Sequence, residues 1–235
     1  MALAEVFMTD VTELELRRVS KRYASDGAEQ AVLREVDLAL PRGDYLVVIG
    51  RSGSGKSTLL NLLGALDLPT SGQLLFRGRD LAELDETARA DLRRRDIGFV
   101  FQACNLIPTL TVLENLLVPL QLNDVARGAA QERCAGLLEA AGLARYPDRF
   151  PEELSGGEQQ RVAVLRAIVH EPAVVIADEP TGNLDLATAC EVLDLLERFC
   201  QEEGRTLVMA THSREVMGRA RRVLRMVDGR LEPAD

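Results

Sequence analysis

Three short stretches carry the residue types that chemistry on a phosphate needs. Gly50-Arg51-Ser52-Gly53-Ser54-Gly55-Lys56-Ser57-Thr58 fits the P-loop pattern G-x-x-x-x-G-K-[ST]. Its glycines let backbone N–H groups converge on phosphate oxygens; Lys56 would reach the β- and γ-phosphates, and the Ser57 hydroxyl would ligate Mg²⁺. Asp178-Glu179 closes an apolar run, where Asp178 would join the metal shell and Glu179 would polarise an attacking water. Leu154-Ser155-Gly156-Gly157-Glu158 has two readings. Ser155 with Glu158 is a capping box for the helical run Gln159 to Val169, and a capped N-terminus with exposed glycines is also an anion site. The cap leaves Gly156-Gly157 unexplained, because glycines weaken a first turn without packing anything; close approach by a phosphate would explain them.

The elements that must position these groups can be read from the apolar pattern. Tyr45 to Ile49 is a continuous apolar run, as for a parallel strand covered on both faces. Leu59, Leu60, Leu62, Leu63 and Leu66 then recur at helical spacing, so the P-loop delivers the chain into a helix whose N-terminus can face an anion. A Gly/Ser-rich turn that merely connects strand to helix would give no reason for Lys56-Ser57-Thr58 in register between those flanks. Pro172 stops a helix before the strand Ala173 to Ala177, which leaves two carboxylates at the strand end where open α/β sheets bind ligands. Glu13 to Arg79 reads as strands around the P-loop helix, with turns at Pro41-Arg42-Gly43 and Ser71-Gly72. Leu110 to Leu143 is mainly helical from Thr111, with a break at Asn123 to Gly128. Leu186 to Glu203 is a helix ended by Gly204, followed by the strand Thr206 to Thr211 and a short C-terminal unit.

Composition narrows the class. The 235 residues suffice for one α/β core with an inserted subdomain. No apolar run approaches the roughly 18 to 20 residues of a spanning helix. Met1 to Asp10 contains acids and no basic region, so no secretory leader is expected. The four cysteines lack metal or CxxC spacing and fit a reducing compartment. A net charge of −9 argues against nucleic acid as a partner, while screening leaves nucleotide binding to local N–H groups and Lys56. Arg93-Arg94-Arg95 and the run Arg219 to Arg225 are expected as solvated helix faces, or as contacts for anionic headgroups near a membrane. His170 is expected on the surface, complementing a helix C-terminus.

In the order and spacing of its motifs, from about Leu14 to about Leu231, the chain resembles the ATP-binding cassette (ABC) transporter ATPases. The resemblance implies an α/β fold: a P-loop NTPase (RecA-like) core with an N-terminal antiparallel β subdomain and an inserted α-helical subdomain. It divides one nucleotide-binding domain, residues 1–235, into a core of about 12–102 and 167–235 and a helical part of about 103–166. ATP and Mg²⁺ are the implied cofactors. Gly50, Arg51, Ser52, Gly53, Ser54, Gly55, Lys56, Ser57 and Thr58 would hold the phosphates, and Tyr23 would stack on adenine. Gln102 matches the Q-loop glutamine and joins Ser57 and Asp178 as a metal ligand. Glu179, His212, Gln102 and Lys56 are the implied catalytic group, with His212 as the switch histidine. Ser155, Gly156, Gly157, Glu158 and the D-loop Asp185 would act in trans, on the ATP of a second copy in a head-to-tail dimer.

The implied second partner is an integral-membrane permease contacting Cys104 to Leu110, which would place the chain at the cytoplasmic face of the inner membrane. Asn61 to Gly72 and Ala177 to Asp185 are similar to the branch containing lipoprotein-releasing LolD, macrolide-exporting MacB and cell-division FtsE ATPases. Ala103-Cys104-Asn105 departs from the best-known members, which have bulkier residues there. The alternatives are an FtsE-like cell-division regulator and a soluble cassette ATPase of the repair or translation kind. The latter usually carries long coiled-coil insertions or two cassettes in one chain. A P-loop kinase gives no reason for the Leu154 to Glu158 pentad.

Overall fold

The computed structural model describes residues 12–25, 28–212 and 217–234; the leader reading of Met1 to Asp10 lies outside them. Two long strands, β1 (Thr12–Ser25) and β2 (Ala28–Pro41), pair antiparallel, and β3 (Tyr45–Ile49) leads through the P-loop into α1 (Lys56–Leu63). Next come β4 (Ser71–Phe76), β5 (Arg79–Asp80), α2 (Glu86–Asp96) and β6 (Ile97–Phe101). A helical stretch follows, with α3 (Val112–Leu122), α4 (Arg127–Ala140) and α5 (Gly156–Ile168). The chain finishes with β7 (Val174–Asp178), α6 (Leu186–Glu202), β8 (Thr206–Ala210), β9 (Arg222–Val227) and β10 (Arg230–Pro233).

One sheet is antiparallel, in the order β2-β1-β4-β5; the other is β10-β9-β3-β8-β7-β6, parallel except where β10 returns along β9. Strand alternation divides the parallel sheet into two faces. Leu46, Val48, Ile176 and Val208 pack with Leu59, Leu60, Leu62 and Leu63 of α1 and with Leu14, Leu16 and Leu33 of the antiparallel sheet. Val47, Val175, Leu207 and Met209 pack with α3, α4, α5 and α6 through Leu116, Leu138, Leu165 and Leu196. Each fully buried leucine of α1 contributes up to about 1.5–3 kcal/mol, so the helix that opens at the P-loop is anchored between two sheets.

Local chemistry sets the boundaries. Thr111 caps α3 with a full capping box, Glu114 answering its backbone, and the break before α4 falls where Asn123 bonds the Pro119 and Arg94 carbonyls. Gly204 follows α6 with φ +61°. Ser71-Gly72 is not a turn: both residues open β4, and Gly72 (φ +86°) sits where a Cβ would lie 2.3 Å from the Arg18 carbonyl oxygen, opposite an irregularity in β1.

Two expectations about basic residues are also corrected. The arginine runs are not plain solvated faces. Arg93 donates to Ala65 O and Glu86, Arg94 to Leu122 O and Asp91, Arg219 to Asp194 and Glu197, and Arg222 to Ala39 O and Asp44, so each ties its element to a neighbour. His170 is not a surface cation. Its Nε2 lies 3.2 Å from Ile97 O, its Nδ1 is buried without a partner, and burial pushes its pKa below the ordinary value. The four cysteines are free.

Candidate nucleotide site

The C-terminal ends of β3, β6, β7 and β8 meet at one edge of the parallel sheet, and the loops leaving them surround an open cavity of about 830 Å³. That volume falls in the range of small-molecule sites. Gly50, Arg51, Ser52, Gly53, Gly55, Lys56, Ser57 and Thr58 form one wall; Gln102, Asp178, Glu179 and His212 form another. The P-loop, the apolar strand with its two acids, Gln102 and His212 therefore converge although about 160 residues of sequence separate the first from the last.

The P-loop geometry follows from its glycines. Gly53 and Gly55 have φ of +76° and +110°, and a Cβ on Gly50 would lie 2.7 Å from both Met226 O and Ser54 Oγ. Gly55 is the N-cap of α1, with no side-chain oxygen on the first-turn N–H groups and no acid in that turn, so these donors remain for an anion. Lys56 Nζ donates to Gly50 O (2.8 Å) and Arg51 O (3.2 Å), which keeps the ammonium over the loop. Ser54 alone turns away from this cavity: its buried hydroxyl has no partner, and it lines the rear of the loop with Arg225 to Asp228.

Across the cavity, Glu179 follows β7 with a left-handed φ of +47°, strain of about 1–3 kcal/mol that the surroundings must hold. Its amide donates to Ala210 O (2.9 Å) on β8, and its Oε2 lies 2.8 Å from His212 Nδ1. Gln102 Nε2 donates to Asn183 Oδ1 (3.0 Å), and Gly182 makes room, since a Cβ there would lie 2.9 Å from that nitrogen. Sequence reasoning missed Asn183, as well as Val32, Phe101, Ala103 and Asn105 in the cavity wall. Asn105 is three residues from Gln102, and proximity was the one available signal.

Three assigned groups lie off this wall. Tyr23 is half-exposed; its hydroxyl donates to Asp67 Oδ2 (2.8 Å), and Lys21 Nζ sits 4.9 Å from its ring centroid, over one face. Ser155 caps α5: its Oγ accepts from Glu158 N (3.3 Å) while Glu158 Oε2 accepts from Ser155 N (2.8 Å). Ser155 Oγ also donates to Glu158 Oε2 (2.8 Å), and the two bonds to that carboxylate, the one from the Ser155 amide first and the one from its hydroxyl second, hold it below its usual range. Asp185 caps α6, accepting from Thr188 Oγ1 (2.6 Å) and from the amides of Ala187 and Thr188 (both 3.1 Å).

One glycine is explained differently from expectation. A Cβ on Gly157 would lie 2.2 Å from Thr188 Cγ2, so packing of α6 on α5 already demands this glycine. Gly156 has no such neighbour, the nearest atom being Leu184 Cδ2 at 3.7 Å. Only Gly156 keeps the need for another explanation.

The family model described as ABC transporter matches residues 33–182. The chain belongs to the ABC transporter family. The cassette is 45% identical over 222 residues to the macrolide export ATP-binding/permease protein MacB of Syntrophobacter fumaroxidans, covering 94% of this chain and 31% of that relative. It is 44% identical over 218 residues to the lipoprotein-releasing system ATP-binding protein LolD of Geobacter metallireducens, covering 93% of this chain and 97% of that one. The chain thus spans about a third of MacB and nearly all of LolD. A solved dimeric post-hydrolysis state of the ATP-binding cassette MJ0796, bound to ADP and Pi, superimposes with a TM-score of 0.86 at 37% identity, covering 94% of this chain and 97% of that one. The cassette is an ATP-binding ATPase subunit of LolD/MacB type. Among the described residues, no helix is long and apolar enough to cross a membrane.

Proposed function

We propose that two copies of this cassette close head to tail around ATP and drive a permease of the lipoprotein-release or macrolide-export kind at the cytoplasmic face of the inner membrane. One observation carries the reading. Lys56, Ser57, Gln102, Asp178, Glu179 and His212 share one cavity, while Ser155 to Glu158 stand outside its wall, so the pentad is available to a second chain's nucleotide.

Within the cavity, Ser57, Asp178 and Gln102 offer oxygen donors of the hard kind that suit Mg²⁺, which prefers one or two carboxylates plus phosphate oxygens. Mg²⁺ would neutralise charge on the β- and γ-phosphates. Lys56 counters the charge spread over the γ-phosphoryl oxygens, and the P-loop N–H groups hold the phosphates in line. Glu179 orients the water and accepts its proton, with His212 at 2.8 Å fixing the carboxylate. Tyr23 offers adenine the ring face that Lys21 leaves open. Ser155, Gly156, Gly157, Glu158 and Asp185 act at the partner's site.

Residues 103–166 form the helical unit, although α5 crosses its boundary and packs against both the sheet and α3. The permease contact is Cys104 to Leu110, where Ile107 is exposed. The carboxamide of the fully buried Asn115 holds this loop through Ile107 N and the carbonyls of Ile107, Leu110 and Thr111. Arg166, which donates to the Cys104 and Asn105 carbonyls, also lines a groove with Phe99, Phe101, Pro119, Leu122 and Arg94.

Glu179→Gln should retain ATP binding, lower turnover about 10²–10⁴-fold and accumulate dimer; undiminished turnover refutes the general base. Mixing Ser155→Arg chains with Lys56→Ala chains should recover activity by assembling one intact site, and dimers without recovery would exclude action in trans.

A further inference from the structure

The loop after Gln102 holds a backbone that its sequence does not favour. Cys104 and Asn105 are consecutive non-glycine residues with φ of +57° and +50°. Such a conformation persists only where surrounding groups over-determine it. Inside the loop, Cys104 N donates to Phe101 O (3.1 Å) and Asn105 N to Ala103 O (2.6 Å). Further hydrogen bonds to this loop come from two side chains of α5.

Gln160 is buried, at 1% exposed; its Nε2 donates to Phe101 O (3.1 Å) and its Oε1 accepts from Cys104 Sγ (2.7 Å). The carboxamide thus uses a donor and its acceptor on the two residues that bracket Gln102 and Ala103. Arg166 spreads its fork over the next two carbonyls, Nη2 on Cys104 O (2.9 Å) and Nη1 on Asn105 O (2.6 Å). The loop so held supplies Phe101, Gln102, Ala103 and Asn105 to the nucleotide cavity. The same helix begins at Ser155, about 16 Å from Arg166 at 1.5 Å per residue.

We infer that Gln160 and Arg166 are positioning residues for ATP hydrolysis. They fix the backbone from which Gln102 and Asn105 enter the nucleotide cavity, and they tie that backbone to the helix whose N-terminus serves the partner's nucleotide. The inference rests on the reading of Gln102 as a ligand for Mg²⁺ and water. A rigid shift of α5 then moves Gln102 in its own site, so closure of one site is felt at the other. Neither side chain touches the P-loop, and nucleotide affinity without metal is therefore independent of both.

The test uses the full chain with Gln160→Glu, which keeps the acceptor for Cys104 and loses the donor to Phe101, and Arg166→Lys, which keeps the cation and loses the fork. Amide hydrogen exchange over residues 101–106 should accelerate about tenfold or more in both without nucleotide present. The Mg²⁺ concentration for half-maximal turnover should rise about fivefold and kcat should fall about tenfold, while trinitrophenyl-ATP affinity without Mg²⁺ stays within about twofold. Parental exchange and parental Mg²⁺ dependence overturn the inference. If Arg166→Lys loses its cooperative melting transition, Cys104→Ala decides in its place, because it removes only the thiol donor to Gln160: faster exchange supports the clamp and parental exchange overturns it. Gln102→Ala separates the two levels. If it shifts the Mg²⁺ dependence and the α5 variants do not, the positioning role falls alone; if it shifts nothing, the metal reading falls and takes the positioning role with it.

Discussion

Two helices of this chain begin with glycines and are assigned to phosphate, yet their first turns are built in opposite ways. α1 opens on Gly55 at φ +110°, with no side chain on its N–H groups and no acid in the first turn. α5 opens on Ser155, which occupies the Glu158 amide, and Glu158 places a carboxylate on that turn. The first is an unsatisfied anion site as it stands. The second has already compensated part of its dipole with its own side chains, leaving a phosphate mainly the N–H groups of Gly156 and Gly157. The difference bears on which site leads: on the proposed reading, α1 would hold nucleotide in a single chain, and α5 would contribute once a nucleotide is brought to it.

The comparison can be broken at either helix. The largest effect is expected from Lys56→Ala, which removes the cation of the uncapped site; turnover should fall about 10³-fold or more and ATP binding should weaken in a filter or fluorescence assay. Next, Gly157→Ala drives a methyl to 2.2 Å from Thr188 Cγ2 and should destabilise the fold by about 1–3 kcal/mol in urea. Adding Thr188→Ser removes that methyl, keeps the hydroxyl for Asp185 and should restore much of the loss; no recovery would mean that Gly157 serves something other than packing. Ser155→Ala should cost about 1 kcal/mol and Ser155→Gly a few tenths, as loss of a cap does.

Gly156→Ala sharpens the contrast further. Its methyl meets only Leu184 Cδ2, at an ordinary contact distance of 3.7 Å, so stability should change by less than about 1 kcal/mol. A fall in dimer turnover with stability intact would give Gly156 the phosphate role that packing gives no reason for, whereas parental turnover would remove it. The smallest effect concerns His170, two residues beyond the end of α5. Its folded pKa lies below the ordinary 6.5, so the unfolded chain takes up the proton first as pH falls. Stability from the neutral ring is complete above about 6.5 and is lost progressively as pH drops from there toward the folded value. His170→Gln should flatten the stability curve in that window in urea titrations at successive pH values.

Much of the site was legible because it is made of contiguous motifs with flanking strands and helices whose period is local. Gly50 to Thr58 and Asp178-Glu179 needed no distant partner to be recognised, and the capping boxes at Thr111 and Ser155 are four-residue patterns. Side chains that act across the fold were not legible. Gln160 and Arg166 sit in a helix whose pattern gives no sign that they reach the loop after Gln102, and Asn183 gives none that it meets Gln102. His170 and the arginine runs were misread for the same reason: charge and helix position say nothing about which carbonyl or carboxylate a neighbouring element presents.

The sequence by itself determined the ATPase class, the P-loop and the strand carrying Asp178, since hydrophobic period and glycine placement act within a few residues. Only the tertiary structure decided the function of each glycine and polar side chain within those motifs. Gly157 is required by Thr188, thirty-one positions away, and Gln102 enters the cavity on a loop held by α5. Close packing and buried hydrogen bonds are satisfied by neighbours in space, and the order of residues along a chain does not name them.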